Sequence, residues 1–113
     1  MKTKAVSQPA RPAPHGAAIS EGPAWTFLTN HAHVLLCIYR DPGMRLREVA
    51  LRVGITERMV QKIVTDLAEA GYVVVEKQGR CNRYQVRRNL RLRHPLETQH
   101  SVGQLLDLLC PAA

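Results

Sequence analysis

Apolar residues recur at helical spacing in the first half of the chain. A largely apolar stretch, HAHVLLCIYR, begins after Asn30, a residue type favoured at helix N-caps, and stops at the turn-forming sequence DPG. A second stripe places Leu46, Val49, Ala50 and Val53 at positions i, i+3, i+4 and i+7 before Gly54. The pattern predicts two helices, and residues 44–46 between them suit either a short strand or the start of the second helix.

The third helical stripe is the most clearly two-faced. Its apolar side consists of Val60, Ile63, Val64 and Leu67, and its polar side of Glu57, Arg58, Gln61, Lys62 and Thr65. Thr56 can cap its start, although Met59 stands where a reciprocal capping box would need Glu or Gln. Gly71 can end it.

After Gly71 the spacing becomes that of β-strands. Residues 72–77 are rich in β-formers, residues 78–82 are polar with one glycine, and residues 83–86 alternate polar with apolar, which predicts a β-hairpin with a basic tip. An arginine-rich link follows. Pro95 then suits a first helical turn, and Val102, Leu105, Leu106 and Leu109 repeat at helical spacing, so a final amphipathic helix is predicted.

The N-terminal residues differ in composition from the rest. Residues 1–22 mix Lys and Arg with Pro, Gly and Ala, which predicts a disordered basic tail and not a secretory signal. We therefore expect a tail (1–22), a folded domain (23–93) and a C-terminal helix (94–113). No run approaches the roughly 18 apolar residues of a membrane span. Three dispersed cysteines in a chain with no export signal indicate reduced thiols in the cytoplasm.

The positive charge is concentrated in one segment. The chain has 16 Lys and Arg against 9 Asp and Glu, and seven of the bases lie between Lys77 and Arg93, where there is no acid. The other nine bases balance the nine acids. A spread of charge would indicate a merely solubilising surface, whereas this concentration favours a polyanionic partner.

The order helix, helix, tight turn, helix, hairpin is that of a winged helix, and four positions match its central motif: Ala50, Gly54, Val60 and Ile63. Through the segment LREVALRVGITERMVQKIVTDLAEAGYVVVEKQGRCNRYQV, the chain resembles the winged helix-turn-helix regulators. The likeness is greatest to the multiple-antibiotic-resistance and arsenical-resistance repressor families and covers roughly residues 29–86. The resemblance implies a mostly α fold with a small β-hairpin (α+β), extended here by a C-terminal helix.

In such families the third helix enters the major groove of DNA and the hairpin touches the adjacent backbone or minor groove. Carried over to this sequence, the resemblance implies base contacts from Arg58, Gln61 and Lys62. It implies phosphate contacts from Arg47 and Thr56 and a weaker one from Thr65. In the wing, which is the name of the hairpin in this fold, it implies DNA contacts from Lys77, Arg80, Asn82 and Arg83. Arg87 and Arg88 extend the contact with the DNA backbone.

These features predict a sequence-specific regulator that binds double-stranded DNA and associates with the nucleoid. They favour repression of transcription over activation. The leucine-bearing last helix predicts homodimerisation. Two alternatives stay open: a protein-interaction module with an acidic partner, and an RNA-binding domain, although few aromatic residues are present for base stacking. We predict no enzyme, metal or cofactor, since the five histidines are dispersed and catalytic motifs are missing. Cys81 is either a redox-sensitive thiol or an unremarkable exposed cysteine.

Overall fold

The computed structural model describes residues 23–110, in which three helices are followed by a hairpin and a fourth helix. The elements are α1 (Asn30–Arg40), α2 (Leu46–Val53), α3 (Glu57–Glu69), β1 (Val73–Gln78), β2 (Cys81–Val86) and α4 (Val102–Leu109). The predicted tail at residues 1–22 lies outside the described residues, as do residues 111–113.

The ends of α1 to α3 follow from local chemistry. Thr29, and not Asn30, is the N-cap of α1, and Asn30 is its first helical residue. At α3 the Thr56 hydroxyl oxygen accepts a 3.0 Å hydrogen bond from the Met59 N–H, as the sequence predicts. Gly54 ends α2 with a φ of 88°, a left-handed conformation that favours glycine. The open choice at residues 44–46 is settled, because α2 begins at Leu46 and residues 44–45 are not part of a strand.

The hairpin has a longer second strand and a tighter turn than the sequence suggests. Its strands are antiparallel, from Val73 opposite Val86 to Gln78 opposite Cys81. The turn is therefore only Gly79 and Arg80, and Gly79 has the positive φ, 66°, that such turns require at their first position. Polar residues 78, 81 and 82, predicted as part of the turn, belong to the strands, while the basic tip is confirmed.

A single apolar core joins all six elements. Its most completely buried side chains come from every helix: Val34, Ile38, Val49, Val60, Ile63, Val102 and Leu106. The hairpin contributes Val73 and Tyr84, and no polar or charged side chain among the described residues is buried. Three helices with a hairpin closing one side form a winged helix, so the predicted fold is confirmed.

The C-terminal helix is shorter than predicted. Pro95 lies in a series of turns, and α4 begins only at Val102, one residue after its N-cap Ser101. The Ser101 hydroxyl accepts from the Gln104 N–H at 3.1 Å, and the Gln104 side-chain oxygen accepts from the Ser101 N–H at 2.9 Å. This capping box sets the helix start. Leu106 of α4 is 0% exposed, so the helix belongs to the domain core.

Candidate nucleic-acid interface

The polar side of α3 is directed outward by the burial of its opposite side. Because Val60, Ile63, Val64 and Leu67 pack into the core, the helix presents its other side to solvent. All four residues predicted on that side to contact DNA are exposed: Arg58, Gln61, Lys62 and Thr65. An exposed α-helix of this kind matches the width of the DNA major groove, about 12 Å. Its guanidinium, amide, ammonium and hydroxyl groups are suited to base edges and phosphates.

Lys62 has a partner within the protein. Its Nζ lies 3.3 Å from Oδ2 of Asp66, one helical turn later. The same oxygen lies 2.9 Å from Nε2 of His31, which is on α1. The hydrogen bond from His31, followed by that from Lys62, lowers the pKa of Asp66, and its carboxylate is therefore ionised at neutral pH. We did not predict the roles of Asp66 and His31, although the spacing of Lys62 and Asp66 is visible in the sequence.

The wing tip and the starts of α2 and α3 surround one depression. Its lining includes three predicted contact residues, namely Arg47, Arg80 and Asn82, together with Glu57 at the start of α3. Arg45, the N-cap residue of α2, also lines it and was missed, since nothing in the spacing of the sequence places it beside the wing. Cys81 lines the depression as well and is exposed. Positive side chains from two elements are thus brought together.

Thr56 lies at the start of α3 and has two hydrogen-bonding capacities. Its oxygen already accepts from the Met59 N–H. A hydroxyl group also carries one donor hydrogen, which the cap does not use. Thr56 is exposed, so this hydrogen is available to an external acceptor such as a phosphate oxygen.

The two faces of the wing separate the predicted contacts. Lys77 pairs with Asn82 on the face that carries the buried Tyr84, whereas Arg83 pairs with Glu76 on the other face. Arg83 lines a different groove, together with Tyr39 of α1. The structure therefore groups Lys77, Arg80 and Asn82 and leaves Arg83 apart from them.

Two arginines of the basic segment, residues 77–93, form hydrogen bonds within the domain. Arg88, which the sequence suggested for the DNA backbone, donates instead to both carboxylate oxygens of Asp107 and to the Tyr39 hydroxyl, each at 2.9 Å. The hydrogen bond to Asp107 raises the pKa of Arg88. Arg91 donates to the carbonyl oxygens of Gln99 and Thr98, at 2.9 and 3.4 Å. Exposed bases that remain in the segment are Lys77, Arg80, Arg83, Arg87 and Arg93.

Comparison with known proteins supports this geometry. Residues 28–74 match a family model described as winged helix-turn-helix DNA-binding. The described domain has the winged helix-turn-helix fold. The match spans α1 to α3 of the winged helix and supports DNA-binding regulation of transcription as its class of function. It does not extend to the wing tip or α4, and it names neither of the two repressor families that the sequence resembles.

No curated protein and no solved structure gave a significant match to the chain. Among the helices of residues 23–110, none has the length and apolarity needed to cross a membrane. The assignment of function to individual residues of the winged helix therefore rests on the geometry described above.

Proposed function

We propose that the protein is a sequence-specific, double-stranded DNA-binding regulator of transcription that acts as a homodimer. The observation that carries this proposal is the common surface formed by the polar side of α3 and the basic depression at the wing tip. Glu57 belongs to both, because it is the first residue of α3 and lines the depression. A duplex lying along this surface meets base-reading side chains in its major groove and positive charge at the flanking backbone.

The proposed contacts divide by their chemistry. Arg58 and Lys62 donate to guanine, and Gln61 forms paired hydrogen bonds with adenine. Arg47, Thr56 and Thr65 contact phosphates and set the register of the helix. At the wing, Arg80 enters the minor groove, where a narrow A·T-rich groove attracts arginine. Lys77 and Asn82 contact the backbone beside it, and Arg45 joins Arg47 on the phosphates. Arg83 contacts the backbone separately, from the other face of the wing.

A group of leucines at the C-terminal end supports the homodimer. We define the leucine patch as Leu92, Leu96, Leu105 and Leu108, which line one depression with almost entirely apolar walls. Leu96 is 82% and Leu108 is 75% exposed. Apolar side chains grouped in this way commonly mark association surfaces. A twofold dimer would place two α3 helices in successive major grooves of a pseudo-palindromic operator, and its occupancy of that site would repress transcription.

Selection of bound fragments from a random duplex pool tests the proposal. Wild-type protein is expected to enrich an inverted repeat, and the Arg58→Ala and Gln61→Ala variants are expected to change the preferred bases within each half. Salt-sensitive retention of all fragments without enrichment would show non-specific binding and contradict the proposal. Failure to retain any duplex would favour an acidic protein partner for the same basic surface.

A further inference from the structure

The ammonium group of Lys62 contacts Asp66, and Asp66 in turn contacts His31 of α1. Asp66 accepts from Lys62 on one side, and its Oδ2 lies 2.9 Å from His31 Nε2 on the other. Asp66 is 36% exposed, and His31 and Lys62 are more exposed than that. Ion pairs at such exposed positions contribute little to folding stability. The arrangement therefore calls for an explanation other than stability.

A carboxylate on α3 has a cost in DNA binding. It repels the phosphates that the rest of this surface attracts. Lysine has a long flexible stem and can reach any phosphate within its range, which gives affinity without sequence preference. A carboxylate one turn away restrains that stem along the helix surface and so limits the phosphates that it can reach.

We propose that Asp66 is a positioning residue that determines specificity, holding Lys62 over the base edge and opposing its use on phosphates. This inference rests on the proposed DNA-binding function. His31 is the second part of the device, because its contact from α1 fixes which way the Asp66 carboxylate points. The other charged or titratable side chains beside His31 and Asp66 are Glu69 of α3, Tyr72 after it, and Arg93 of the basic segment.

The first test compares Asp66→Asn with Glu69→Gln. Both substitutions remove one negative charge from the polar side of α3, and Glu69 forms no ion pair among the described residues. Affinity for the selected operator and for a scrambled duplex is measured for each variant. Both variants are expected to bind the scrambled duplex more tightly. Only Asp66→Asn should lower the ratio of specific to non-specific affinity beyond that common effect, by about threefold, and relax the preference at one base pair.

A second background separates positioning from a general structural effect. When Lys62 is replaced by Met, the additional effect of Asp66→Asn on the specificity ratio is expected to disappear. His31→Gln, which keeps a side-chain N–H donor, should retain the wild-type ratio, whereas His31→Ala should lower it. Thermal unfolding of each variant confirms that the fold is intact.

Four results would overturn the inference. If Asp66→Asn and Glu69→Gln change the ratio of specific to non-specific affinity equally, only the removed charge matters. Persistence of the Asp66→Asn effect without Lys62 would show a different mechanism. If wild-type protein enriches an operator and Asp66→Asn prefers the same operator equally, only the positioning role is contradicted. If wild-type protein enriches no sequence, the positioning role and the proposed function are both contradicted.

Discussion

Arg88 and Asp107 form a two-pronged ion pair in which each terminal nitrogen of the guanidinium lies 2.9 Å from one carboxylate oxygen. The pair joins the segment after the wing to α4. The Arg88 side chain also lies over the ring of Tyr39, 5.8 Å from its centre. Arg88, in the most basic part of the sequence, thus connects α1, the basic segment and α4. Its guanidinium group already has hydrogen-bond partners within the protein.

This division of the arginines predicts different salt dependences for two matched variants. Arg80→Gln should reduce the slope of log K against log salt by about 0.9 per subunit, because the DNA-binding surface loses one positive charge and one fewer counterion is released from the duplex. Arg88→Gln should leave the slope unchanged but lower the unfolding temperature. Anisotropy titrations at several salt concentrations measure the slopes. Equal losses of slope would contradict the internal role of Arg88.

The same ion pair makes stability depend on pH in the acid range. The hydrogen bond from Arg88 lowers the pKa of Asp107 in the folded protein, so folding favours the ionised carboxylate. That contribution is complete above the unfolded pKa of about 3.9 and is lost as the pH falls through the lowered value. Wild-type protein should therefore exceed Asp107→Asn in stability at pH 7, and the difference measured by urea unfolding should decrease as the pH falls below about 3.9. A difference that does not change with pH would contradict this assignment.

Gly103 permits the close approach of α4 to the basic segment. Its N–H donates to the carbonyl oxygen of Arg88 at 2.8 Å, and a Cβ at this position would lie only 3.0 Å from that oxygen. Gly103→Ala is expected to lower the free energy of unfolding by about 1–3 kcal/mol. Gly43→Ala is the control, since its Cβ would meet only the flexible end of Arg83 at 3.8 Å. Urea unfolding measures both, and similar effects would count against the close contact.

The leucine patch predicts how the oligomeric state responds to charge. Leu108→Glu should convert a dimer to a monomer, because a buried unpaired carboxylate disfavours the interface. Leu51→Glu is a matched control on α2, since Leu51 and Leu108 are each 75% exposed. Sedimentation analysis distinguishes the species. A wild-type monomer at micromolar concentration, or dissociation by both variants, would contradict the proposed interface.

Much of the fold could be predicted from sequence because its determinants are local. The stripe from Val60 to Leu67, the Thr56 cap and the Gly54 turn act within a few residues, and each is found as predicted. The start of α4 was also encoded locally, in the Ser101–Gln104 capping box. We predicted an earlier start because proline at position 95 is favoured in a first helical turn.

The use of individual charged residues could not be predicted in the same way. Arg88 meets Asp107 and Tyr39, which are 19 and 49 residues away in sequence, and His31 meets Asp66 across 35 residues. Only the packing of α1, α3 and α4 brings these groups together. Composition therefore revealed the basic segment correctly but could not separate its structural arginines from those exposed for a partner.

A competition titration at physiological salt tests whether the winged helix recognises a particular DNA sequence. Labelled selected operator, bound by wild-type protein, is displaced by unlabelled operator or by a scrambled duplex of equal length. We expect the operator to compete about 10³-fold better than the scrambled duplex or more, since that is the lower end of the usual range for sequence-specific proteins. Equal competition by the two duplexes would contradict it.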